Sequence, residues 1–143
     1  MELRLFAGLS FMFYTFSSQE ERRYFCGSCF IEITFCKLSS KTCLKELVSV
    51  RSSGKSMYQN DSLYVSIKDM DEFLDIYGDI FDCGTYNNLK TGIVDCFGIN
   101  YYKSELIPSI IERLYEDKPK DYLKLIDWLY QAKQYNGFYI LGV

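Results

Sequence analysis

The hydrophobic pattern switches repeatedly between a two-residue and a helical period along this chain. Leu3–Ala7 and Phe11–Phe16 read as strand, with Gly8 as a bend or bulge between them. Ser17–Glu21 is a polar turn, and Arg23–Lys37 is a second β-rich stretch. Within it Ile31, Ile33 and Phe35 alternate with Glu32, Thr34 and Cys36, the two-residue period of a strand with one buried and one wetter face. Two aromatic strands joined by SSQEE predict an N-terminal β-hairpin. Over Ser39–Ser52 the period lengthens: Cys43, Leu44, Leu47 and Val48 share one helical face, and Ser39 or Ser40 serves as the N-cap.

Ser52–Asp61 reads as a loop and Leu63–Ile67 as a strand. A helix follows from an Asp69 cap to about Phe81, with Met70, Phe73, Leu74, Tyr77, Ile80 and Phe81 as its apolar stripe and Gly78 weakening its last turn. Asp82–Lys90 is a turn-rich loop, and Gly92–Phe97 is a strand that is apolar except at Asp95. Ser104 begins a helix to about Tyr115, with Pro108 tolerated near its start. Pro119 opens another to about Tyr135, its inner face formed by Tyr122, Leu125, Ile126, Leu129 and Tyr130. Asn136-Gly137 stops that helix, and Phe138–Leu141 is a last strand. Strands grouped early and helices late predict an α+β fold, a mostly antiparallel sheet packed by three to four helices. No linker or repeat divides residues 1–143, so a single domain is expected.

Composition narrows the chemistry. The chain has no histidine, which excludes the Ser-His-Asp triad, the Cys-His dyad and a histidine general base. Net charge is −3, against general nucleic-acid binding, and it is unevenly spread. Residues 1–60 carry eight basic and five acidic side chains; residues 61–143 carry eight and fourteen. The acidic half should repel phosphate backbones and attract cationic partners. Met1–Phe16 has the outline of a short leader, but Glu2 spoils a basic start and no A-x-A site follows. No apolar run reaches 18 residues, so no membrane span and a cytoplasmic location are expected.

Three groups of residues carry candidate chemistry. Cys26-Gly-Ser-Cys29 has C-x-x-C spacing, but a strand pattern follows it, where a redox site has a helix N-terminus to lower the thiol pKa. Cys36 and Cys43 follow in steps of seven, which is not zinc-knuckle spacing. Reduced thiols packed as small hydrophobes are the expectation, and no cofactor is implied. Asp82 and Asp95 would form a carboxylate pair for acid–base work if the fold brings them together. Otherwise Asp82 caps a turn, and Asp95 faces a helix N-terminus or a tyrosine hydroxyl. Third, Asp69, Asp71, Glu72, Asp75, Asp79 and Asp82 put six acids into fourteen residues, with no base after Lys68. A solvated face explains any charge run, yet exposed helices usually mix signs for i, i+4 pairing, and this one does not. Beside it, Tyr86, Asn87, Asn88, Tyr101 and Tyr102 are candidate contacts for a partner.

The segments GDIFDCGTYNNLKTGIVDCFGINYY and DYLKLIDWLYQAKQYNGFYILGV resemble small bacterial immunity proteins of contact-dependent inhibition and other polymorphic toxin systems. The resemblance rests on size, acidity, aromatic richness and the terminal WL…NGFYILG strand. It implies a non-enzymatic protein that binds one cognate toxin, often a nuclease with a basic active site. An acidic face opposite such a site is electrostatically complementary. The other expectations are a small enzyme using Asp82 and Asp95, and a redox or metal module at Cys26 and Cys29.

Overall fold

The computed structural model describes residues 11–49 and 58–143. Its elements run α1 (Gln19–Cys26), β1 (Phe30–Phe35), α2 (Leu44–Leu47), β2 (Leu63–Ser66), α3 (Met70–Tyr77), β3 (Gly84–Thr85), β4 (Thr91–Gly92), β5 (Ile99–Tyr102), α4 (Ile107–Asp117), α5 (Tyr122–Ala132) and β6 (Phe138–Leu141). Single 3-10 turns, Ile67–Asp69 and Ser104–Leu106, lead into α3 and α4. The six strands form one antiparallel sheet in the order β2-β1-β6-β5-β3-β4. The fold is α+β, with five helices among the described residues where three to four were expected.

The C-terminal strand enters the middle of the sheet. β6 pairs with β1 through Ile33↔Ile140 and with β5 through Asn100↔Ile140. Side chains directly opposite share a face. Ile31, Ile33, Phe35, Leu63, Val65, Phe138, Ile140 and Tyr102 therefore project to one side, where α3, α4 and α5 bury them under Phe73, Tyr77, Ile110, Leu114, Leu125 and Leu129. The other face is also covered, in two patches. Phe16 and Cys26 pack on Phe30 and Tyr64, and Leu47 and Val48 pack on Tyr101, Tyr139 and Leu141. Period-2 alternation divides β1 correctly into two faces, but the second face is not wet: all six of its residues are buried. Glu32 is wholly enclosed there, accepting hydrogen bonds from Ser62 Oγ at 2.8 Å and Tyr64 Oη at 3.4 Å.

The expected aromatic hairpin is replaced by a helix. Ser18 Oγ accepts the amide of Glu21 at 3.1 Å, and Glu21 Oε1 in turn receives the Ser17 amide at 3.2 Å. This reciprocal capping starts α1 where a polar turn was read, and Gly27, at φ +63°, ends it. Residues 11–16 contribute a single bridge, Tyr14↔Tyr64, at the outer edge of β2. They are fixed instead by α5: Asp121 Oδ2 accepts the amides of Met12 and Phe13 at 3.1 and 3.0 Å, and Lys124 Nζ donates to Phe13 O at 2.8 Å. The Leu3–Ala7 strand expectation lies outside the described residues, as does most of the 52–61 loop.

Smaller differences concern element ends. Ser66 Oγ, rather than Asp69, accepts the first helical amide before α3, and Asp69 makes no side-chain cap. α5 begins at Tyr122, three residues after Pro119. Of the expected Gly92–Phe97 strand only Gly92 pairs in the sheet, together with Thr91 before it. Gly137, at φ +79°, lets β6 approach the turn after β5, because a Cβ there would lie 2.1 Å from Tyr102 O.

Candidate functional site

Helix α3 turns Phe73 and Tyr77 into the core and leaves Asp71, Glu72, Leu74 and Asp75 exposed. Asp79 and Asp82 continue the exposed carboxylates through the turn after it, while Asp69 is half-buried. The tertiary fold supplies part of the cationic charge missing from the local sequence. Lys120 Nζ pairs with Glu72 at 3.0 Å, and Arg113 Nη1 pairs with Asp82 at 3.2 Å while also donating to Ile80 O. Asp69, Asp71, Asp75 and Asp79 have no cationic partner among the described residues. The face is therefore a net-negative strip flanked by two surface ion pairs, and it includes an apolar residue, Leu74, 41% exposed.

Residues 93–98, five of them within the expected Gly92–Phe97 strand, form a tight loop whose Val94 and Cys96 join the core that Phe73 and Tyr77 enter. Asn100, wholly buried on β5, uses its side chain as a clamp. Its Oδ1 accepts the Asp95 amide at 2.8 Å, and its Nδ2 donates to Asp95 O and Ile140 O, both at 2.9 Å. Asp95 Oδ1 then accepts the Phe97 amide at 2.9 Å, closing a local Asx turn. Backbone bonds from Gly142 to Gly98 O and from Val143 to Cys96 O seal the loop against the chain end. Burial pushes the Cys96 thiol pKa up, and the carboxylates of Asp95 and Asp71 push it further. This rigid loop holds Phe97 out at 69% exposure and Ile93 at 50%.

Among the other predicted contacts, Tyr86 is half-buried and its hydroxyl donates to Ile93 O. Asn87 and Asn88 are both exposed, and Asn88 Oδ1 accepts the Lys90 amide at 2.9 Å, holding the β3–β4 turn. Tyr101 and Tyr102 leave the list of surface contacts. Tyr101 is buried with its hydroxyl on Asn136 O at 2.6 Å, and Tyr102 is enclosed with its hydroxyl facing Phe81 O at 3.5 Å. Their place in the alternating strand β5, one toward each covered face, accounts for both.

The alternative chemistries are placed as plainly. Asp82 and Asp95 are both exposed; one is held by Arg113 and the other by its own Asx turn. Cys26 is buried at the end of α1 and Cys29 is exposed just before β1. The adjacent helix terminus is therefore a C-terminus, whose partial negative charge disfavours a thiolate. Among the described residues no group of three or more Cys, Asp or Glu side chains could hold a metal ion. No helix among them is long and apolar enough to cross a membrane.

Sequence reasoning missed Phe97 and Ile93 because GIVDCFG reads as buried strand, and it missed Asn100 because a lone Asn in INYY carries no local signal. Comparison of the chain with family models, with curated proteins and with solved structures finds no match.

Proposed function

We propose that this chain is a non-enzymatic binding protein, an immunity protein that neutralises a cationic, nuclease-type toxin in the cytoplasm through the exposed face of α3. One observation carries the reading. Asp71 and Asp75, without cationic partners among the described residues, flank the exposed Leu74, and the clamped loop, whose Val94 and Cys96 join the same core as Phe73 and Tyr77, holds Phe97 out to solvent. A net-negative surface with apolar side chains costs self-repulsion and exposes apolar area, and a basic partner with an apolar pocket relieves both. The carboxylates steer encounter and set orientation, and the apolar side chains hold the complex. Neither nucleic acid nor membrane is a partner in this reading.

The test is to co-express the chain with the product of the adjacent gene and measure binding at two salt concentrations. With Asp71, Glu72 and Asp75 changed together to Lys, the association rate should fall at least about tenfold at low salt and lose its salt dependence. Unchanged affinity and unchanged salt dependence in that variant would remove the α3 face from the interface.

A further inference from the structure

The second face of the sheet is covered by α1 and by α2, but its β5–β3–β4 end carries no helix. Thr85 pairs with Tyr101 and Thr91 with Thr85, so all three side chains lie on this face, Tyr101 buried against Leu47 and the two threonines toward the uncovered end. A groove of about 520 Å³ lies over them, within the size range of small-molecule sites. One wall is the segment entering α2, which contributes Ser40, Thr42, Leu44 and Leu47; the other is the turn carrying Lys103, Glu105 and Leu106. The segment entering α2 is tied to Tyr101 through Asn136. Tyr101 Oη donates to Asn136 O at 2.6 Å, Asn136 Nδ2 donates to Ser39 O at 3.0 Å, and the Asn136 amide donates to Cys36 O at 3.1 Å.

The lining divides into three chemistries. Lys103 has no carboxylate partner among the described residues, and Glu105 meets only the neighbouring Ser104 hydroxyl, at 3.3 Å. An ammonium and a carboxylate thus share one groove without neutralising each other. The hydroxyls of Ser40, Thr42, Thr85 and Thr91 make no side-chain hydrogen bond to the described residues, so their donors and acceptors remain open to a ligand. Leu44, Leu47 and Leu106 supply the apolar part. We propose that this groove binds a zwitterion of amino-acid or dipeptide size with an apolar side chain. Lys103 takes the ligand carboxylate, Glu105 its ammonium, the leucines its side chain, and the Thr and Ser hydroxyls its peptide group. The groove shares no lining residue with the exposed face of α3, so the two surfaces can be tested apart.

The experiment is calorimetric titration of the full chain with dileucine, N-acetyl-dileucine and dileucine amide. Dileucine should bind saturably in the millimolar range or tighter, and blocking either end should weaken it by roughly tenfold, the loss of one charge-assisted contact. Glu105→Gln should make the acetylated and free forms bind alike while leaving the penalty for the amide; Lys103→Met should do the reverse. Circular dichroism and thermal unfolding confirm that both variants are folded. The proposal is overturned by no saturable binding of dileucine in that range. It is equally overturned by binding that ignores the blocking groups, or by variants that weaken all three ligands equally.

Discussion

Replacing Asn100 with Ala tests whether one buried amide holds the loop that presents Phe97. The substitution deletes three hydrogen bonds, of 2.8, 2.9 and 2.9 Å. Two of their partners belong to Asp95, an exposed residue whose peptide groups regain water, so each of those bonds is worth about 0.5–1 kcal/mol. The third partner is the carbonyl of Ile140 in the middle of the sheet, which loses a donor where water does not reach, at about 1–2 kcal/mol. Together with the small void, the expected loss is about 2–4 kcal/mol, a fall in Tm of roughly 10 °C for a domain of this size. Urea and thermal unfolding measure it. Hydrogen exchange localises it: the amides of Asp95 and Phe97 should lose protection before those of β1. Asn100→Asp preserves shape and the acceptor for the Asp95 amide, but turns a carboxylate oxygen toward the carbonyls of Asp95 and Ile140. It should be worse than Ala at neutral pH. The new carboxyl has a raised folded pKa, so the deficit should shrink as pH falls through that value. If Asn100→Ala stays within about 0.5 kcal/mol of the wild type, or Asn100→Asp is the milder change, the clamp is not what orders the loop.

Other consequences follow from the same packing. Burial raises the hydroxyl pKa values of Tyr64, Tyr77, Tyr101, Tyr102 and Tyr139 above 10.0, so the unfolded chain releases these protons first. Through these groups stability is flat below pH 10 and falls steadily above it; tyrosinate absorbance should rise cooperatively with loss of ellipticity, and independent titration of the five would contradict their burial. The Arg22 guanidinium lies 4.6 Å over the Phe30 ring and near Tyr58 and Tyr64. Arg22→Lys keeps the charge but loses the planar stack, and should cost about 1–2 kcal/mol in urea unfolding; a neutral result would reduce this to a charge effect. Gly137→Ala drives a Cβ to 2.1 Å from Tyr102 O at a positive φ, and should destabilise by more than about 3 kcal/mol or yield insoluble protein, whereas a folded variant with wild-type Tm would refute the close approach.

The helices after residue 60 were legible from local pattern, and α3 and α5 bury most of the stripes that periodicity marks; Leu74 and Tyr130, counted in those stripes, stand exposed because each lies at the edge of its helix's buried face. The acidic run was legible for the same reason, as composition on one helix. Local pattern misled where a short side chain redirected the backbone. Ser18 and Glu21 turn an aromatic stretch into a helix, although the Ser-x-x-Glu spacing was visible in the chain. Asp95 and Asn100 bend a strand-like apolar run into a loop, and nothing in either residue's neighbours announces the other.

The sequence by itself determined the α+β class, the two faces of β1, the inner stripes of the late helices and the concentration of carboxylates in 69–82, because these depend on periods and on neighbours within one turn. Tertiary structure decided the rest. It placed β6 between β1 and β5 and covered both faces of the sheet, which took Tyr102 out of solvent on one side and Tyr101 on the other. It also brought Arg113 and Lys120 to two of the six acids across 31 and 48 residues, leaving the others to define the exposed face. Pairings over such separations depend on which surfaces the packed elements share, and no local period encodes that.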